Sequence, residues 1–323
     1  MKILILGGTK FAGLHAAKEA VSKGHQVTLF NRGTHPAPDG VTSIVGDRLA
    51  PNGYASLDGR TFDVVIDTWS TDPTAVQKAV DALRGRVGHY IYISTLSVYN
   101  FEEGNAPYNE STPLFDPEKT DVQYIKDKVR GESFISDSGI RHTFIRPGVI
   151  LGPDESVWRL PWWLLRMKRG GKTLAPGPRD LQLQFIDVRD LAKFTIHAAE
   201  EKLEGPYNLV SEMNHVSFGS FLDTANKVAG SNAELCWLDA EKVIEAGVGP
   251  WVEMPMWLPP GDLSVYSSDV SKALGAGLTV RLAKDTISDT WEWVTSLKKL
   301  PDTVKVGLDP AKEKEVLEKY CQG

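Results

Sequence analysis

The chain has 323 residues, 41% of them hydrophobic and 24% charged, the composition of an ordinary globular protein and long enough for one large α/β unit or two domains. A formal net charge of −6 gives no general reason to expect nucleic acid as a partner, and no stretch approaches the length of a membrane span. Cys236 and Cys321 lack metal-ligand partners at useful spacing, so no metal is expected; they are expected to be free thiols in a reducing compartment.

The first thirteen residues predict an apolar strand (Ile3 to Leu6), a glycine-rich turn and a helix (Ala12 to Lys23) with Leu14, Ala17 and Ala20 on one face. Gly7 and Gly13 are spaced as in G-x-x-G-x-x-G, where missing side chains let backbone N–H groups approach a pyrophosphate. Lys10 occupies the middle glycine position. A second strand, His25 to Phe30, ends in Asn31-Arg32-Gly33, where an NAD-preferring fold places an acid. Arg32, with Lys10, suits a doubly negative 2′-phosphate instead, so NADP(H) is expected in preference to NAD(H). After a third strand, Asp47 is placed either to accept from an adenine amino group or to form a turn.

Alternation continues with strands at Phe62 to Ile66, His89 to Ile93 and Arg141 to Ile145, and helices at Thr74 to Leu83 and roughly Val122 to Ser136. The Pro- and Gly-punctuated segment from Thr34 to Gly40 reads as loop rather than helix. The pattern predicts a Rossmann-type α/β fold, a doubly wound parallel sheet over residues 1–150. Residues 151–300 read as a smaller substrate-binding cap with Trp-rich helices, a return strand near 185–210 associated with the first domain, and a closing helix at Ala283 to Leu297. Residues 301–323 read as a tail with a charged, exposed helix at Lys312 to Tyr320. With a strand predicted at its very start, the chain is expected to lack a cleavable signal and to be cytoplasmic.

Five ordered segments resemble the extended short-chain dehydrogenase/reductase family, the NAD(P)-dependent epimerase/dehydratase group: the glycine-rich turn, Tyr92-Ile-Ser-Thr-Leu-Ser-Val-Tyr99, Tyr124-x-x-x-Lys128, Arg146-Pro-Gly-Val-Ile-Leu-Gly-Pro153 and Phe185-Ile-Asp-Val-Arg-Asp-Leu-Ala192. The Gly-Gly-Thr-Lys turn followed by Asn-Arg-Gly is most similar to an atypical, isoflavone-reductase-like branch. The resemblance implies a catalytic set of Tyr124, Lys128 and Thr95, with Ser94 the alternative hydroxyl. It implies cofactor contacts from Gly7, Thr9, Lys10, Phe11, Gly13, Asn31, Arg32, Asp47, Arg48, Asp67, Thr68, Lys128 and Pro147. Four residues apart on a helix, Tyr124 and Lys128 share a face. A nearby ammonium favours the phenolate of a group whose ordinary pKa is about 10.

One departure bears on substrate. Where nucleotide-sugar enzymes of the group usually carry a diphosphate-binding Asn, this chain has Val149. Trp158, Trp162, Trp163, Trp251 and Trp257, with Arg159 and Arg166 nearby, suit an apolar or ring-bearing small molecule, or equally the packing of a core. Glu132 is expected as a structural partner and Asp190 as the cap of a helix beginning at Leu191; His89 and His142 read as core or strand-edge residues, and His215 as a pocket candidate. Three functions remain in view: an NADP(H)-dependent oxidoreductase, an epimerase/dehydratase on a sugar-like substrate, and a non-catalytic nucleotide- or RNA-binding protein. No nucleic acid or membrane partner is expected, and a homodimer is left open.

Overall fold

The computed structural model describes residues 1–302 and 304–321. Its first part alternates β1 (Lys2–Leu6), α1 (Phe11–Ser22), β2 (Gln26–Asn31), β3 (Thr42–Val45), β4 (Phe62–Asp67), α2 (Thr74–Leu83), β5 (Val87–Ile93), α3 (Gln123–Ser136) and β6 (His142–Pro147). There follow β7 (Val149–Leu151), α4 (Arg159–Arg169), β8 (Gly171–Pro176), β9 (Gln182–Leu183), β10 (Phe185–Asp187), α5 (Val188–Glu200), β11 (Gly205–Leu209), β12 (Val216–Ser217), α6 (Phe218–Ala229) and β13 (Ala233–Leu238). Short helices α7 (Ala240–Glu245) and α8 (Ser271–Gly275) precede α9 (Ala283–Ser296) and α10 (Pro310–Tyr320).

The chain divides into two compact units. The first comprises 1–148, 188–210 and 268–279 and holds a seven-stranded sheet in the order β3-β2-β1-β4-β5-β6-β11, every neighbouring pair parallel. Ile3, Leu4, Ile5 and Leu6 are buried on both faces, which a central parallel strand demands and which explains its unbroken apolar run. α1 packs with α5 and α2 with α3, while the edge strand β3 stays largely exposed. The order reverses at β1, where successive crossovers leave in opposite directions and open a crevice at the carboxyl ends of the strands.

The second unit comprises 149–187, 211–267 and 280–323. It pairs β8 with β13 and β7 with β10 in parallel, and packs α4, α6 and α9 together. Trp163 and Trp257 are fully buried in its core, their indole N–H groups donating to Pro255 O (2.7 Å) and Gly177 O (2.8 Å). Packing therefore claims these two rings, whereas Trp162 and Trp251 are only partly buried.

Several boundaries differ from the sequence reading. Of the segment near 185–210, Gly205–Leu209 joins the large sheet beside β6, but Phe185–Asp187 pairs with Val149–Leu151 in the second unit. The helix expected in the tail is not detached, because α10 packs on β8 and buries Glu313 under the guanidinium of Arg166 (2.8 Å). Arg166 is thus committed to an ion pair. Asp190 lies inside the first turn of α5, which begins at Val188, and so does not precede the helix it was expected to cap. Cys236 and Cys321 are bonded in a disulfide, not free: β13 and the end of α10 bring their Cα atoms within 6.3 Å. Among the described residues no helix is long and apolar enough to cross a membrane, and no group of three His, Cys, Asp or Glu is arranged to hold a metal.

Candidate active site

Gly7 and Gly8 turn the chain out of β1 with φ of +115° and +86°, conformations that an L side chain resists. A Cβ on Gly13 would stand 2.8 Å from Gly8 N, so only glycine lets α1 pack this closely on the turn. No side chain caps α1 at Lys10, which leaves its first N–H groups outward for an anion. Phe11, the first helical residue, is held at φ +36°, a region that ring-bearing residues seldom occupy. Thr9 is half-buried and Lys10 exposed. These features fit a dinucleotide pyrophosphate.

The remaining expected cofactor residues cluster unevenly. Asn31 closes β2, its side-chain oxygen accepting from Gly33 N (2.7 Å), and its buried Nδ2 has no hydrogen-bond partner. Arg32 is exposed beside it. Asp47 is exposed, and its carboxylate accepts from Leu49 N (3.0 Å), the turn-forming geometry. Thr68 donates to Leu6 O (3.1 Å), tying the ends of β4 and β1, and Pro147 ends β6. Arg48 and Asp67 depart from the expected role. Their side chains are buried against each other, with Arg48 donating from both terminal nitrogens to the two carboxylate oxygens at 2.6 Å each. Arg48 also donates to the hydroxyl of Tyr54, and Tyr90 to Asp67, at 2.7 and 2.6 Å. Both charged groups are thus buried and engaged within the fold.

Lys128 is 2% exposed, its ammonium donating to Ile93 O and Trp69 O, each at 2.6 Å. The ring of Tyr92 faces it at 4.6 Å. Burial drives its pKa down to about 7, against the pull of the Asp67 and Glu132 carboxylates. One helical turn earlier Tyr124 is 42% exposed, so the pair spans from the interior to an accessible phenol. Ser94 and Thr95 follow directly on the carbonyl that holds Lys128. The Ser94 hydroxyl is buried without a hydrogen-bond partner, whereas Thr95 Oγ1 accepts from Ser97 N (3.2 Å) and caps a short 3₁₀ turn. Behind them Arg146 grips Glu132 at 2.9 and 2.5 Å and donates to Tyr99 (2.9 Å), the structural role expected of Glu132.

Sequence reasoning missed Trp69, Tyr90 and Tyr92. Trp69 contributes a backbone carbonyl, which no side-chain motif encodes; Tyr90 read only as an apolar strand residue, and Tyr92 opened a family-like segment without a role for its ring.

A doubly wound sheet with a glycine-rich β1–α1 turn and a Lys-bearing helix after β5 defines a dinucleotide-binding Rossmann protein. The NAD(P)H-binding family model matches residues 7–201, more than half of the sequence, and the chain belongs to this family. It is 30% identical over 246 residues to the chloroplast stem-loop binding protein of 41 kDa b from Arabidopsis thaliana, a match covering 71% of this chain and 63% of that protein. It is 26% identical over 221 residues to 2-alkyl-3-oxoalkanoate reductase from Stenotrophomonas maltophilia strain K279a, covering 60% and 64% respectively. The matches thus span less than two thirds of either curated relative. The UDP-glucose 4-epimerase of Thermotoga maritima shares the fold, with a TM-score of 0.71 at 15% identity over 91% of this chain and 99% of that one.

Proposed function

We propose that the chain is an NADP(H)-dependent oxidoreductase that interconverts a carbonyl and an alcohol in a small metabolite. The observation that carries this reading is the buried Lys128 ammonium beside Ser94 and Thr95, one helical turn from the accessible Tyr124. The turn at Gly7 to Gly13 and the start of α1 hold the pyrophosphate, and Arg32 with Lys10 favours a 2′-phosphate over the second hydroxyl of NAD(H). When bound, the dinucleotide supplies or accepts a hydride. Tyr124 exchanges a proton with the substrate oxygen, Lys128 stabilises the phenolate and holds the ribose, and Thr95 or Ser94 donates to the reacting oxygen. Similarity to a reductase of oxoalkanoates supports a carbonyl substrate. We keep the cytoplasm as its location; the Cys236–Cys321 bridge is the feature that speaks for an oxidising one.

Tyr124→Phe removes only a hydroxyl, so fold and dinucleotide affinity survive while turnover falls by about 10²–10⁴. Lys128→Met lowers both turnover and affinity, and Thr95→Val mainly the chemical step. Near wild-type activity of Tyr124→Phe, on a carbonyl substrate that NADPH demonstrably reduces, would overturn the mechanism.

Two other readings each have an observation in their favour. The fold of a UDP-glucose epimerase favours an epimerase/dehydratase on a sugar-like substrate. Against it, Val149 is buried in β7 and cannot donate to a diphosphate. Uridine and thymidine diphosphates should give no saturable micromolar binding by calorimetry; if either does, the epimerase takes first place. The chloroplast relative favours a stem-loop RNA-binding protein. Salt-sensitive, tight RNA binding without turnover in a filter assay would establish that reading, and the acidic net charge of −6 weighs against it.

A further inference from the structure

Asp67 closes β4 with four donors on its two oxygens. One oxygen takes an Arg48 N–H (2.6 Å) and the backbone N–H of Trp69 (2.9 Å); the other takes Arg48 (2.6 Å) and the Tyr90 hydroxyl (2.6 Å). A carboxylate so satisfied is restrained from rotating, and it holds the Trp69 N–H two residues downstream, restraining the backbone at the residue that also carries the Trp69 carbonyl. Between them Thr68 is pinned to the end of β1 through its hydroxyl. The Trp69 carbonyl then accepts from Lys128 (2.6 Å) and from the Tyr92 hydroxyl (3.1 Å). The second carbonyl holding Lys128, Ile93 O, is fixed at the end of β5. Two of the three ammonium donors are thereby aimed at backbone, and the direction of the third follows.

We propose that Asp67, clamped by Arg48 and Tyr90, is a positioning residue for Lys128, acting through the Trp69 backbone, whose N–H it holds and whose C=O accepts from Lys128, and through its own buried charge. This rests on the reading of Lys128 as a catalytic and ribose-binding group. It also accounts for the pair itself, since a buried ion pair contributes little net stability once its desolvation is counted.

The charge on Lys128 is set by a small circle of groups. Asp67 from β4 and Glu132 and Asp127 from α3 favour the ammonium, Arg48 from the loop after β3 opposes it, and the Tyr92 ring of β5 lies against it. The two members of the pair thus act on Lys128 with opposite sign, Asp67 more strongly than Arg48.

The test is NMR titration of the Lys128 ε-carbon in the full chain labelled with [13C]lysine, assigned with Lys128→Met. Asp67→Asn should lower the Lys128 midpoint by about one pH unit, and Arg48→Met should raise it by clearly less. In the double variant Arg48→Met/Asp67→Asn, which buries no unpaired charge, the midpoint should fall less than in Asp67→Asn alone. A merely structural pair would lower the melting temperature of the variants without moving the midpoints in opposite directions. Midpoints that move together overturn the proposal; if the single variants do not fold, an unmoved midpoint in the double variant does so. NADPH affinity and turnover of Lys128→Met are measured separately. If both equal wild type, the catalytic reading fails while the positioning of Lys128 by Asp67 is still decided by the midpoints.

Discussion

The proposed preference for NADP(H) rests on one exposed side chain, Arg32. It stands at the end of β2 beside Asn31, whose side chain shapes the turn by accepting from Gly33 N. Replacing Arg32 with Asp removes a charge-assisted contact of about 1.5–3 kcal/mol and sets a negative charge against a 2′-phosphate. Preference should swing toward NADH by at least tenfold in a fluorescence titration. Wild-type protein that binds NADH as tightly as NADPH would show that Arg32 has no such role. By contrast Arg48, also a cation after a strand, is 5% exposed and donates to Asp67, Tyr54 and the Ala75 carbonyl. Two arginines sixteen positions apart read alike in the sequence, and burial alone separates them.

The unit of construction at the next scale is strand, turn and helix. α1 follows β1 so closely that its third residue, Gly13, touches the Gly8 backbone, and a methyl group there would press on Gly8 N at 2.8 Å and Gly8 Cα at 3.0 Å. Backbone cannot step aside as a side-chain tip can. Gly13→Ala should therefore cost about 1–3 kcal/mol through displacement of α1 or the turn. The expected result is a weaker NADPH affinity with little change in kcat at saturation, since α3 and the end of β5 are untouched. An unaltered dissociation constant would mean that the turn does not carry the pyrophosphate. The α3 helix has the opposite character: its buried face, Asp127, Lys128, Val129, Gly131, Glu132 and Ile135, is mostly polar or small. Gly131 lies against Tyr92, where a Cβ would meet the phenol oxygen at 2.7 Å. That close approach lets Lys128 reach the ends of β4 and β5.

On the scale of the whole molecule, the two units are held by different means. The first rests on its parallel sheet. The second gathers short strand pairs, and its C-terminal helix α10 is anchored by the buried Glu313 between Arg166 and Arg169, by Lys312 on Glu253 (2.7 Å), and by the Cys236–Cys321 bridge. A crosslink across 85 positions restricts the unfolded chain, an entropic effect of about 4–5 kcal/mol at this loop size. Cys236→Ser should lower the melting temperature under non-reducing conditions, and dithiothreitol should lower that of wild type but not of the variant. Two reactive thiols per native chain in a thiol assay without reductant would show that the bridge is not formed.

Much of the first unit was legible in the sequence because its signals are local. An apolar strand, a glycine turn and an amphipathic helix lie within twenty-odd residues, and the helix at Thr74–Leu83 was read to the residue. The exposed Arg32 and the Tyr124–Lys128 spacing were equally visible, since one depends on position after a strand and the other on helical pitch. Tertiary structure alone decided what depends on partners distant in the chain. It chose which tryptophans are core, joined Cys236 to Cys321, sent Gly205–Leu209 to the large sheet and Phe185–Asp187 elsewhere, and turned Arg48 and Asp67 from expected ligands into a buried pair. The physical reason is that burial and hydrogen bonding are properties of a neighbourhood assembled from separate segments. Residue type states which groups are able to pair; only the packed fold brings one particular partner within 3 Å.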